Sequence, residues 1–279
     1  MISCIVALMN REENLEKMLP SWTKVDEIKD FVIVDWSSRN PIINNSVVQE
    51  QMGKYKNIKV IRVENQSHYY RFLALNLAYS YTEKSNKILL KLDADYTNID
   101  SSWLKFQSIN NGELINYFIC GDGVFDNTSV GFLFVNKRNF DEVNGYNENL
   151  RPMWGYEDED IQARLSKLKG LRYSFFWEHQ QKNPEFMKIP FFDFNKYIYH
   201  IPHSNAMRIE NSIKLEDEIY SQSFLNQDRV NSNSPMKKQT QINREISIEN
   251  PIWKPKQYKI LEEIDNYIRV EMIQESVAN

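Results

Sequence analysis

The chain has 279 residues, a net charge of -4, two cysteines and four histidines. Its length suits one large domain with an appendage, burying roughly 75% of the unfolded surface. The charge balance leaves no basic footprint, which argues against nucleic acid as a partner, and Cys4 and Cys120 are too few for a disulfide framework or a cysteine zinc site.

The apolar run at residues 2–9 reads as a first strand. No basic segment precedes it and it passes straight into Asn10-Arg11-Glu12, unlike a signal peptide. Residues 13–25 space Leu15, Met18, Leu19 and Trp22 three or four apart, as on one helix face. Pro20 is expected to kink or end that helix. Residues 31–34 form a second buried strand, closed by Asp35-Trp36-Ser37-Ser38, and residues 58–63 a third. Residues 70–81 are helical, with Leu73, Leu77 and Tyr81 on one face; residues 87–92 are a fourth strand, running into Asp93-Ala94-Asp95. Strands alternating with helices imply a parallel sheet covered on both faces. Ligands of such sheets bind beyond the carboxyl ends of the strands. Asn10 with Arg11, Asp35 to Ser38, and Asp93 to Asp95 all fall at those ends, so three polar clusters converge on one crevice.

The second part is less regular. Residues 117–120, 130–135, 172–177 and 197–201 read as strands, residues 136–144 as a short helix or turn, and residues 147–156 as a loop. Residues 157–168 are helical, with Ile161, Leu165 and Leu168 facing inward. Residues 221–250 turn polar, as in a weakly structured linker. Residues 256–273 return to helical spacing through Ile260, Leu261, Ile264, Ile268 and Met272, predicting a C-terminal helix. No segment approaches the ~20 apolar residues of a membrane span. The expected location is the cytoplasm, with peripheral membrane association left open.

Four constellations carry chemistry. Residues two apart on a strand end share a side, so Asp93 and Asp95 offer a hard oxygen site for Mn2+ or Mg2+. Such a metal neutralises a leaving diphosphate. A solvated turn has the same composition, but the position after Ile88-Leu89-Leu90-Lys91-Leu92 favours the metal. Trp154-Gly155-Tyr156-Glu157-Asp158-Glu159-Asp160 opens a helix with four acids. The helix dipole accounts for one or two of them; clustering and burial raise a carboxylate's pKa, which suits a general base. His200 and His203 are either ligands for a borderline metal such as Mn2+ or ordinary surface or core histidines. Asp35 with Ser37 and Ser38 fits a nucleoside contact or an Asx-turn equally. Trp103, Tyr146, Trp154 and Trp177 are able to stack on sugars, although each also suits a core.

Taken in order, Asn10-Arg11-Glu12, Val34-Asp35-Trp36-Ser37-Ser38, Ala74-Leu75-Asn76 and Leu92-Asp93-Ala94-Asp95 resemble family 2 glycosyltransferases of the GT-A fold. Gly131-Phe132-Leu133-Phe134-Val135, Phe140, Asn144-Gly145-Tyr146 and Trp154 through Asp160 resemble the C-terminal half of the β-1,4-galactosyltransferase group. The resemblance spans roughly residues 2 to 205. It implies an α/β GT-A fold with a mostly parallel central sheet flanked by helices; the helical spacing near the end adds a C-terminal helical extension over 206–279. It implies donor contacts from Arg11, Asp35, Asn76 and Asp93, metal ligation by Asp95, His200 and His203, catalysis by Asp158, and sugar or acceptor contacts from Trp154, Glu157 and Glu159. The family's Trp-Gly-Gly-Glu-Asp-Asp reads Trp-Gly-Tyr-Glu-Asp-Glu here, a departure at Tyr156 and Glu159 that bears on sugar preference and acceptor.

The expected activity is inverting transfer of a hexose or N-acetylhexosamine from a UDP-sugar to a hydroxyl of a glycan, glycolipid or glycoprotein, with Mn2+ or Mg2+ as cofactor. The alternatives are a retaining GT-A transferase, a non-catalytic sugar-nucleotide or glycan-binding module, and a nucleotidyltransferase.

Overall fold

A computed structural model describes residues 1–102, 104, 133–152, 155–165, 167–168, 198–202 and 235–273. The strands expected at 117–120 and 172–177 lie outside the described residues, as do Trp103, Cys120, Gly131, Phe132, Trp154, Trp177, His203 and the first part of the polar stretch from 221.

The strands are β1 (Ile2–Leu8), β2 (Ile28–Trp36), β3 (Ile58–Val63), β4 (Ile88–Leu92), β5 (Tyr96–Asn98), β6 (Leu133–Asn136), β7 (Ile198–His200), β8 (Tyr258–Ile264) and β9 (Tyr267–Met272). The helices are α1 (Glu12–Trp22), α2 (Ser46–Lys54), α3 (Arg71–Ser80), α4 (Lys137–Glu142), α5 (Glu157–Leu165) and α6 (Pro235–Glu249). Seven strands form one sheet in the order β6-β4-β1-β2-β3-β9-β8. The pairs β1/β2, β1/β4, β2/β3 and β3/β9 are parallel, and the outer pairs β4/β6 and β8/β9 are antiparallel.

Alternation builds the core in two layers. Cys4, Val6 and Leu8 of β1 face one side and pack with Leu15, Met18, Leu19 and Trp22 of α1. Ile5 and Ala7 face the other side and pack with Phe72, Leu73 and Leu77 of α3 and Ile161 and Leu165 of α5. Burial on both faces explains why β1 and β4 read as mostly apolar runs, interrupted only by Ser3 and Lys91. The parallel register sets Leu8 opposite Asp35 and Val6 opposite Leu92, so the carboxyl ends of β1, β2 and β4 open side by side. Pro20 sits inside α1, two residues before its last turn closes at Trp22.

The C-terminal part corrects the sequence expectation. Residues 258–264 and 267–272 form a hairpin, not a helix, and β9 pairs with β3 as part of the main sheet. Ile268, Arg269, Val270 and Glu271 alternate buried and half-buried, a period of two. Ile260, Leu261 and Ile264 imitated a helix stripe, but they lie exposed on the edge strand β8. Asp265, at φ 51°, turns the chain in a two-residue loop. Within the expected polar linker, Pro235–Glu249 is a helix. Its anchor is polar: Asn243, 1% exposed, accepts from the Arg151 N–H at 2.8 Å and donates to the Gly155 carbonyl at 2.9 Å. No helix among the described residues is long and apolar enough to cross a membrane.

Candidate active site

The carboxyl edge of the sheet carries two charged clusters. The first is built on the small antiparallel sheet β5/β7, which pairs Tyr96 with His200. The Ile201 N–H donates to the Asp95 carbonyl at 2.7 Å, and the indole of Trp22 holds the Tyr96 carbonyl at 2.7 Å. These bonds place His200 Nε2 3.7 Å and Arg11 Nη1 3.5 Å from Asp95 Oδ2. A carboxylate and an imidazole facing each other suit Mn2+ in ligand type. Among the described residues no three His, Cys, Asp or Glu side chains group closely enough to hold a metal; His203, the expected third ligand, lies outside those residues.

The second cluster gathers three acids and two bases. Arg71, the first residue of α3, bonds Asp158 at 2.5 Å, Asp93 at 3.3 Å and also Glu157. Lys91, fully buried on β4, reaches Asp93 at 2.8 Å and Asp158 at 3.4 Å. Among the described residues the cluster counts three carboxylates against two cations. Burial pushes the Asp158 carboxyl up from its ordinary range, against the opposing pull of Arg71 and Lys91. For Asp93 burial acts the same way, but Lys91 and Arg71 outweigh it and hold the carboxyl below its usual range. Arg71 stays charged: burial disfavours the cation, and Asp158, Glu157 and Asp93 more than compensate.

Asp93 and Asp95 therefore pair with different side chains, although each still feels the other's charge. Strand β4 ends at Leu92, and the chain turns with the Tyr96 N–H bonded to the Asp93 carbonyl at 3.2 Å. Outside the strand the period of two lapses, and the carboxylates join different clusters.

The four acids of α5 also divide. Glu157 and Asp158 meet Arg71. Glu159 is exposed. Asp160, 1% exposed, binds Arg164 at 2.6 Å one turn on and accepts from Ser247 of α6. Gly155 and Tyr156 precede this helix at φ 89° and 80°. A side chain at Gly155 would collide with Thr240 of α6. Tyr156 holds its left-handed conformation with a Cβ, which stores on the order of 1–3 kcal/mol of strain.

Two expected donor contacts are occupied by structural bonds. Asp35 has no exposed surface; it accepts from the Ser38 N–H at 2.9 Å, the Ile42 N–H at 3.1 Å and Arg62 at 2.6 Å. It braces the loop after β2. Asn76 donates to the Tyr146 carbonyl at 2.9 Å and to Glu148 at 2.7 Å, and accepts from the Tyr146 N–H at 2.9 Å. It clamps α3 to the Gly145–Glu148 turn, close enough that a side chain at Gly145 would strike its carbonyl oxygen at 2.6 Å.

Arg71 and Lys91 escaped the sequence reading. Lys91 left a signal: it is the lone charge in Ile88-Leu89-Leu90-Lys91-Leu92, where a buried strand tolerates a lysine only if acids meet it. Arg71 left none, since a basic residue at a helix start after two tyrosines has no distinctive spacing.

Residues 125–203 match the family model of the N-terminal domain of galactosyltransferase. No curated protein matches the chain. Among solved structures the chain is similar to the catalytic domain of Drosophila beta1,4galactosyltransferase 7 in complex with xylobiose, at TM-score 0.53 and 15% identity over 98% of this chain and 94% of that one. A mutant of that enzyme, in complex with manganese, UDP-Gal and xylobiose, gives TM-score 0.52 at 14% identity over the same shares. S. aureus TarS 1-349 in complex with UDP-GlcNAc gives 0.53 at 16% identity over 88% of this chain and 72% of that one. The mannosyltransferase PcManGT from Pyrobaculum calidifontis, with GDP-Man and Mn2+, gives 0.52 at 11% identity over 89% and 75%. The chain has the GT-A fold of these enzymes. The family match and the fold together support a glycosyltransferase.

Proposed function

We propose that this chain is an inverting, metal-dependent transferase that moves a hexose or N-acetylhexosamine from a UDP-sugar to a hydroxyl of a glycan, glycolipid or glycoprotein. Its N-terminal half then follows the family 2 pattern and its later half the galactosyltransferase pattern. The observation that carries the proposal is Asp158: a buried carboxylate at the carboxyl edge of the sheet, raised in proton affinity and oriented by Arg71 and Lys91. That is what a general base at neutral pH requires. The similar structures with UDP-Gal, UDP-GlcNAc and GDP-Man support a sugar nucleotide as the donor class.

In the proposed reaction Asp158 takes the proton of the acceptor hydroxyl as its oxygen attacks the anomeric carbon, and the bond to the diphosphate breaks on the opposite face. Glu157, beside Asp158 on Arg71, positions sugar hydroxyls; Glu159, exposed on the same turn, and Trp154 are proposed on the acceptor side. Arg11 and Asp93 flank the diphosphate and ribose, with Asp35 and Asn76 bracing the walls of the site. Asp95 and His200, with His203, would hold Mn2+ or Mg2+. When bound, the metal supplies charge neutralisation on the departing diphosphate. Mn2+ accompanies the sugar nucleotide in two of the similar structures.

The test is a panel of UDP-sugars with Mn2+, scored by UDP release and by the anomeric configuration of the product. UDP release with an inverted product is expected. Retained configuration contradicts the single displacement, and UDP binding without turnover points to a binding module. Consumption of a nucleoside triphosphate with pyrophosphate release identifies a nucleotidyltransferase instead.

A further inference from the structure

Asp95 Oδ2 has two neighbours of opposite consequence. His200 Nε2 stands 3.7 Å from it and Arg11 Nη1 3.5 Å. The imidazole is a second ligand for a divalent ion on that oxygen. The guanidinium is a rival cation, and it cannot give up its charge. The side chains of Asp95, Arg11 and His200 are 9%, 15% and 16% exposed, so solvent screens their charges little.

The backbones on both sides of this contact are fixed. Asn10 donates its N–H to Ser38 Oγ at 2.8 Å and accepts from the Arg39 N–H at 2.8 Å. Arg11 is the N-cap residue of α1, and its carbonyl accepts from the Leu15 N–H at 3.0 Å. The Asp95 carbonyl accepts from the Ile201 N–H at 2.7 Å, next to His200. What is able to move is the Arg11 side chain, through its rotatable bonds. Arg11 and Asp95 together are neutral. A divalent ion on Asp95 sets two further positive charges beside the guanidinium, and an anion relieves that repulsion. A diphosphate supplies the anion; a nucleoside does not.

We propose that Arg11 competes with the divalent ion for Asp95 Oδ2, and that the diphosphate of the sugar nucleotide ends the competition by drawing the guanidinium to itself. Metal and nucleotide then each bind more tightly with the other present, and Arg11 carries that coupling. This rests on the UDP-sugar and metal reading of the site.

The experiment follows Mn2+ binding to the full chain by the paramagnetic resonance signal of the free ion. It is run without nucleotide, with saturating UDP (corrected for Mn2+ held by UDP in solution) and with uridine, and melting curves check that each variant folds. Arg11→Met, or Arg11→Gln should the first not fold, is expected to bind Mn2+ without nucleotide about tenfold more tightly than wild type, because the rival charge is gone. Arg11→Lys keeps the charge and should stay within about threefold of wild type. With UDP the affinities of wild type and Arg11→Met should converge, so the gain that UDP gives Mn2+ shrinks about tenfold in the variant. Uridine should give no gain in either. Unchanged or weaker Mn2+ binding in Arg11→Met overturns the competition. Equal gains from UDP in the two proteins, or a gain from uridine as large as that from UDP, overturn the coupling through the diphosphate. Arg11→Lys binding as tightly as Arg11→Met makes the effect one of shape and overturns the charge argument. Tight binding that survives Asp95→Asn in the Arg11→Met chain places the ion elsewhere and overturns the assignment. Wild-type protein that binds neither Mn2+ nor UDP removes the reading of the site, a result distinct from binding of both that ignores Arg11.

Discussion

Asp158 and Asp160 stand two positions apart on α5, both buried, and their carboxylates meet different partners. Asp158 faces the sheet edge and shares Arg71 and Lys91 with Asp93. Asp160 faces away and is neutralised by Arg164, which also donates to the carbonyls of Val143 at 2.5 Å and Gly145 at 2.7 Å. About 200° of helical rotation separates the two positions, enough to send one carboxylate to Arg71 and Lys91 and the other to Arg164. A run of four acids that looks like one group is divided by the helix into a pair on Arg71, an exposed residue and a tie to Arg164. The tie matters to the pair on Arg71, because Ser247 on Asp160 and Asn243 on Gly155 dock α6 behind the turn that launches α5.

A large effect is expected at Asp95, beside the cluster that Asp158 joins. Asp95→Ala should lower the Mn2+-stimulated transfer rate by about 10³-fold, several kcal/mol of lost charge stabilisation. A metal titration of the rate checks it, and an unchanged metal dependence sends the metal elsewhere. Next comes the pH profile. Asp158 must be ionised to act as a base, and its proton affinity is raised by burial. The acid limb of the rate is therefore expected above the ordinary aspartate range. Lys91→Met removes a cation that favours the ionised form, so the limb should move further toward neutral pH. A shift toward acid contradicts the assignment.

The smallest effect concerns the turn before α5. Tyr156 sits at φ 80°, where glycine is at ease and tyrosine is strained. Tyr156→Gly should raise unfolding free energy by about 1 kcal/mol in denaturant titrations; a loss of that size would mean that the ring's packing outweighs the strain.

Much of this arrangement was legible in the residues. Strands β1 to β4 announce themselves as apolar runs because parallel strands are buried on both faces, and α1, α3 and α5 by their three-and-four spacing. The convergence of strand ends followed from that alternation. The less legible elements are held by polar contacts. Helix α2 buries only Val48 and Gln51 and starts at Asn45, whose side chain accepts from Val47 and Val48. Helix α6 docks through Asn243, and the hairpin β8/β9 hid a period of two behind exposed isoleucines. Among candidate site residues, acids and histidines stood out by type, whereas the backbone bonds that Asp35 and Asn76 also make are invisible until the chain is folded. The cations that meet Asp158 come from a strand interior and a helix start, far from it in sequence.

The central claim is the division of labour on α5, and the paired variants Asp158→Asn and Asp160→Asn test it most directly. Transfer rate and melting temperature would be measured on both. Asp158→Asn is expected to lose about 10²–10⁴-fold in transfer while keeping its melting temperature and its affinity for UDP. Asp160→Asn is expected to keep transfer at low temperature while losing about 3 kcal/mol of stability, because Arg164 loses its buried counter-charge. Full transfer activity in Asp158→Asn, or loss of transfer in a stably folded Asp160→Asn, would contradict the account.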